Sequence, residues 1–108
     1  MGLPLQERTD DTQKVIEALK NEQVVISLQG PGLFTSSGHF IVLVGMNASG
    51  KIMVNDPNGA NYEKNETLID GFMHGFTEEQ IFKNGGPYWI YQKKEPPKTE
   101  TIIEISAT

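Results

Sequence analysis

No cysteine occurs anywhere in the 108 residues. Disulfides and thiolate metal sites are thereby excluded, and the chain has no thiol nucleophile of its own. Positive charge is also scarce: nine Lys and Arg against fourteen Asp and Glu give a formal net charge of -5 and a pI near 4.9. The cations are scattered and never form a basic stripe, which argues against a nucleic-acid partner. No apolar run approaches the roughly 20 residues of a membrane helix. There is no Walker spacing with its Lys, and no G-x-G-x-x-G follows a strand. No internal repeat is found. The length suits one small domain that buries about two-thirds of its unfolded surface.

What is present centres on Gly38-His39-Phe40-Ile41-Val42-Leu43-Val44-Gly45, followed by Met46-Asn47-Ala48-Ser49-Gly50 and Lys51-Ile52-Met53-Val54-Asn55-Asp56-Pro57. The first arm is apolar on both faces, Ile41 and Leu43 on one and Phe40, Val42 and Val44 on the other, which predicts a central strand covered on both sides. The polar, Gly-ended connection predicts a β-hairpin. A register that sets Gly45 against Gly50 sets Leu43 against Ile52, Ile41 against Val54, and His39 directly opposite Asp56. Opposed Cβ atoms then lie roughly 4.5–5.5 Å apart, and the carboxylate accepts the Nδ1 proton and leaves Nε2 to act as a base. A slip of one residue puts Asn55 on the His39 face instead. The plain alternative is an ion pair at two strand ends.

Residues 1–9 show no periodicity and read as an arm entering a domain already under way. Thr9, Asp10 or Asp11 caps a helix to about Asn21, with Val15, Ile16 and Leu19 on its inner stripe. Val24 to Leu28 reads as a buried strand. Gln29 to Gly38 reads as a mobile, glycine-rich loop that could rim a substrate site. From Asp56 to Thr67 a calcium loop fails on spacing, because its Gly falls at the fourth position and its twelfth is Thr67. His74 sits in an apolar stretch with no second His or Cys at a metal-ligand spacing, and no metal or cofactor is implied. Thr77-Glu78-Glu79-Gln80 is a capping box for a helix over 78–84, and Pro87 to Gln92 reads as a last strand with Trp89 in the core. The fold class is α+β: an antiparallel sheet, a half-barrel, with short flanking helices over residues 1–94, and residues 95–108 as a linker or loose edge strand.

This order of elements, with Gly38-His39-Phe40-Ile41-Val42-Leu43 and Asn55-Asp56-Pro57 at this separation, resembles the C-terminal half of a papain-like cysteine peptidase. It is most similar to the bacterial bacteriocin-leader-processing type and its relatives, several of which are secreted or cell-wall proteins. The resemblance covers residues 14–92. It implies that His39 is the general base and Asp56 its orienting partner. It also implies a nucleophilic Cys and an oxyanion-hole Gln on an N-terminal helix, neither of which this chain carries. No role transfers to Gln6, Gln13 or Gln29, whose flanks do not match. Ser37 is no substitute nucleophile, since positions i and i+2 on a strand lie roughly 6.5–7 Å apart, beyond the ~3 Å of proton transfer. Two readings follow. The chain is the His/Asp half of a cysteine peptidase whose thiol comes from a missing N-terminal part or a partner chain, or it is a catalytically inactive relative that binds peptide or protein. Either way a half-barrel exposes core, so association with the missing half, or homodimerisation, is expected. The substrate and the compartment stay open.

Overall fold

The computed structural model describes residues 4–56 and 65–93. Five strands form one open antiparallel sheet: β1 (Leu5–Thr9), β2 (Val25–Gln29), β3 (His39–Met46), β4 (Ile52–Asn55) and β5 (Gly85–Tyr91). Their spatial order is β1-β5-β2-β3-β4, so β2 is the middle strand. Three helices accompany it: α1 (Thr12–Lys20), α2 (Glu66–His74) and α3 (Glu78–Phe82). This is the expected α+β class.

Helix α1 starts where Asp11 accepts a hydrogen bond from the Gln13 amide at 2.9 Å. Its Val15, Ile16, Ala18 and Leu19 are all buried, as the stripe predicts. It packs on β2, β3 and β5, while α2 packs on β4 and α3 on β5. Beneath the helices Val25, Ile41, Leu43, Ile52, Phe76, Tyr88 and Ile90 join one apolar cluster. Each large aliphatic there contributes about 1.5–3 kcal/mol relative to exposure. Phe76 is wedged between Phe34, with ring centroids 5.0 Å apart, and Phe72, at 5.4 Å.

Four expectations are corrected. The first nine residues are not merely an arm, because Leu5–Thr9 pairs with β5 through Arg8↔Trp89 and Thr9↔Tyr88. An edge strand of mixed polarity has no periodicity to announce it; its partner supplies the hydrogen bonds. Second, β3 is covered on one face only. Phe40 and Val44 are 53% and 47% exposed, since the helices flank the side that carries Ile41 and Leu43. Trp89 belongs to this open face too, half-buried, with ring contacts to Phe40 at 5.7 Å and the Arg8 guanidinium at 5.8 Å. Third, residues 66–74, of which only part stood out as an apolar stretch, form α2, capped by Asn65 accepting from the Leu68 amide at 3.1 Å.

The fourth concerns the β3–β4 register. Val42 faces Asn55, Leu43 faces Val54 and Met46 faces Ile52, with an irregularity between Leu43 and Gly45. The hairpin is therefore closed by Asn47 and Lys51, not by Gly45 and Gly50. Asn47 decides this: its carboxamide oxygen accepts from the amides of Ser49 and Lys51, both at 3.0 Å, and its own amide donates to Lys51 O at 2.9 Å. Beyond the irregularity the shift from the expected register is two residues, and an even shift keeps every side chain on its face. Asn55 is accordingly on the open face with Val42 and is no partner for His39. Residues 95–108 and most of the Asp56–Thr67 segment lie outside the described residues.

Candidate functional site

His39 is the first residue of β3 and Asp56 directly follows β4. Their side chains meet: His39 Nε2 lies 2.6 Å from Asp56 Oδ1. The aspartate side chain is fully enclosed, and the histidine side chain keeps 19% of its surface exposed. A carboxylate can only accept, so Nε2 donates, and in the neutral ring the lone pair stands on Nδ1. This reverses the expected roles of the two nitrogens. In the observed register Asp56 sits diagonally from His39, and diagonal positions lie roughly 7–8 Å apart. That span suits the far end of the ring, Nε2, where a directly opposed carboxylate would meet Nδ1 near the backbone.

The floor of the site is a residue the sequence placed in a loop. Gln29 ends β2 and pairs directly with His39. It is only 2% exposed, and its amide nitrogen donates to Ser27 Oγ at 2.8 Å and to Ile81 O at 3.0 Å. These bonds tie β2 to α3 beside the imidazole. The signal was present in Val25, Ser27 and Gln29, three alternate inward positions of which two are polar and hydrogen-bonded to each other.

The glycine-rich segment is more firmly held than a mobile rim. Gly30 donates its amide to Asn84 O at 2.7 Å, Gly32 to Thr35 O at 2.8 Å, and Phe34 is plugged into the core at 3% exposure. A Cβ on Gly32 would meet the Asn84 side chain, which would have to swing aside. Ser37 is exposed, and its backbone amide bonds Thr35 Oγ1. No hydroxyl is hydrogen-bonded to His39 among the described residues.

His74 is elsewhere. It ends α2, and its carbonyl accepts from the Asn47 side chain at 2.8 Å, at the hairpin end of β3 away from His39. An open cleft of about 670 Å³ lies at that same end, lined by Leu19, Val44, Met46 and Met53 among others, and does not include His39. Among the described residues no group of three His, Cys, Asp or Glu side chains could hold a metal ion, and no helix is long and apolar enough to cross a membrane.

The arrangement presents an oriented imidazole with one nitrogen anchored and the other able to take a proton. No curated protein and no solved structure matches the chain. The family model described as the Peptidase_C39 like family matches residues 4–95, which include β1, both arms of the central hairpin and β5. The chain therefore belongs to the Peptidase_C39 like family and is a peptidase-like module.

Proposed function

We propose that this chain is the His/Asp-bearing half of a cysteine peptidase, with the nucleophilic thiol supplied by another segment or a partner chain. The observation that carries the reading is the 2.6 Å bond from His39 Nε2 to the enclosed Asp56 carboxylate. In this mechanism His39 Nδ1 takes the proton of the incoming thiol, and the thiolate attacks the peptide carbonyl. The imidazolium then returns the proton from Nδ1 to the departing amine. Water, deprotonated by the same nitrogen, hydrolyses the acyl-enzyme and releases the thiol. Asp56 keeps the Nε2 proton throughout and steadies the positive ring. The partner is thus a cysteine-bearing half, and the substrate a polypeptide, a leader peptide or a peptide cross-bridge. The bacterial and cell-envelope setting implied by the resemblance belongs to this proposal.

A second reading is favoured by the absence of cysteine from the chain. In it the module is catalytically inactive and binds a peptide or protein. Native and denaturing mass spectrometry of the protein isolated from its source separate the two. The first reading expects a second, cysteine-bearing chain, or a longer polypeptide containing this one, that a thiol-directed probe labels, with His39→Ala slowing the labelling at least tenfold. Recovery of the 108-residue chain alone, folded and inert, would favour the second. Turnover by that chain without any partner would overturn both.

A further inference from the structure

The open cleft at the hairpin end of β3 lies apart from the His39 site, and we propose that it is filled in cis by the chain's own residues 99–108, laid along it through Ile103 and Ile105. Those residues lie outside the described structure and beyond the family match, which ends at residue 95. The wall of the cleft is apolar where Leu19, Val44, Met46 and Met53 line it, and Val44 keeps 47% of its surface exposed. Its rim is charged, with Lys20 and Glu22 at the end of α1.

The occupant follows from where the described chain leaves the sheet. At the end of β5 the Gln92 amide donates to Pro4 O at 2.8 Å, and Tyr91 O accepts from the Gln23 side chain at 3.0 Å. Lys93 then pairs with Glu22 at 3.2 Å, and Glu22 is itself part of the cleft rim. The chain is therefore handed over at the cleft. The backbone of Glu22 points the same way. Its φ of 61° is left-handed, and the amides of Glu22 and Gln23 close α1 on Leu19 O and Ala18 O at 3.1 and 2.9 Å. Glycine is the usual residue at that closing position. A glutamate held there against its backbone preference keeps a carboxylate where Lys93 departs. From Lys93, residues 94–98 reach up to roughly 17 Å, and the Pro96-Pro97 pair favours their extension. That length carries residue 99 across a cleft of about 670 Å³. In an extended segment Ile103 and Ile105 share one face, which matches the apolar wall. With Glu22 engaged by Lys93, the other rim charge is Lys20, which makes no ion pair among the described residues. Glu100 and Glu104 bring it carboxylates. A tether this short holds the segment at an effective concentration on the order of millimolar, so a weak contact suffices. The inference does not depend on the peptidase reading.

Methionine-methyl NMR of the 108-residue chain, with a soluble gadolinium chelate as the probe, reads the coverage directly. Met46 and Met53 line the cleft, and Met73, 67% exposed on α2, is the uncovered reference. Ile103→Ser with Ile105→Ser leaves every described residue in place. It should raise the chelate's broadening of the Met46 and Met53 methyls about threefold or more, with Met73 unchanged. Lys20→Glu should raise the broadening in the same sense, and adding Glu100→Lys and Glu104→Lys to it should restore the protection. A tenfold dilution should leave the protection as it was, because segment and cleft belong to one molecule. Equal broadening of Met46 and Met53 with and without the two serine substitutions would overturn the proposal. Protection that fades on dilution, the mark of a segment taken from a second copy, would overturn it as well.

Discussion

Raising the pH should destabilise this protein through one side chain, Tyr88. Its ring is 1% exposed at the middle of β5, and its hydroxyl has no hydrogen-bond partner among the described residues. Burial, and secondarily the Asp10 carboxylate, push the phenol up to about 12 from its ordinary 10.0. The folded state therefore holds the proton more tightly than the unfolded chain does. Stability is undiminished below pH 10 and falls as the unfolded chain begins to lose its proton. With these two values the loss is under about 1 kcal/mol at pH 10 and about 1 kcal/mol at pH 11, approaching about 3 kcal/mol above pH 12. Urea unfolding of the chain and of Tyr88→Phe at pH 8, 10 and 11 isolates the effect, because the other titrating groups are common to both. At pH 8 Tyr88→Phe should be equal in stability or about 1 kcal/mol more stable, since it removes a buried hydroxyl with no bond to lose. By pH 11 the advantage should have grown by about 1 kcal/mol. Parallel stability curves for the two proteins from pH 8 to 11 would refute the reasoning, as would a large loss for Tyr88→Phe at pH 8.

Two packing predictions accompany it. A Cβ on Gly71 in α2 would overlap the Phe76 ring, which is fully buried and held by Phe34 and Phe72. Gly71→Ala should lower stability by up to about 2 kcal/mol, because overpacking of about 1–3 kcal/mol offsets about 1 kcal/mol of helix propensity; an increase in the thermal midpoint would contradict this. At α3, Thr77 Oγ1 accepts from the Gln80 amide at 3.1 Å while the Gln80 side chain accepts from the Thr77 amide at 2.8 Å. Thr77→Ala should cost about 1 kcal/mol in chemical denaturation, with Thr77→Ser retaining most of it; equal losses for both would show that the cap is not the cause.

Much of the fold was legible because local chemistry spoke plainly. A cap among Thr9, Asp10 and Asp11 before Val15, Ile16 and Leu19 marked α1, the Thr77 to Gln80 box marked α3, and the β-branched runs marked β2 and β3. Helix α2 was less plain, since its start lies at Asn65 in a polar stretch and its inner face uses Gly71, which carries no hydrophobic signal. Gln29 looked like loop because the glycines follow it immediately; its burial is decided by Ser27 and the Ile81 carbonyl, 52 residues further along the chain.

His39 and Asp56 show where the two kinds of information divide. The sequence by itself placed His39 and Asp56 at the ends of two hairpin arms and, in the register it favoured, on one face; the structure changes that register by an even number of residues there, which preserves the face. The sequence also grouped Ile41, Leu43 and Ile52 on one face of the hairpin. Only the folded structure decided which nitrogen of His39 faces the carboxylate, since that follows from a two-residue offset produced by the Asn47–Lys51 closure together with the irregularity between Leu43 and Gly45. Only tertiary structure decided, too, which apolar face of β3 the helices cover. Phe40, Val42 and Val44 are as hydrophobic as Ile41 and Leu43, and burial depends on where α1, α2 and α3 pack, which no periodicity within β3 can encode.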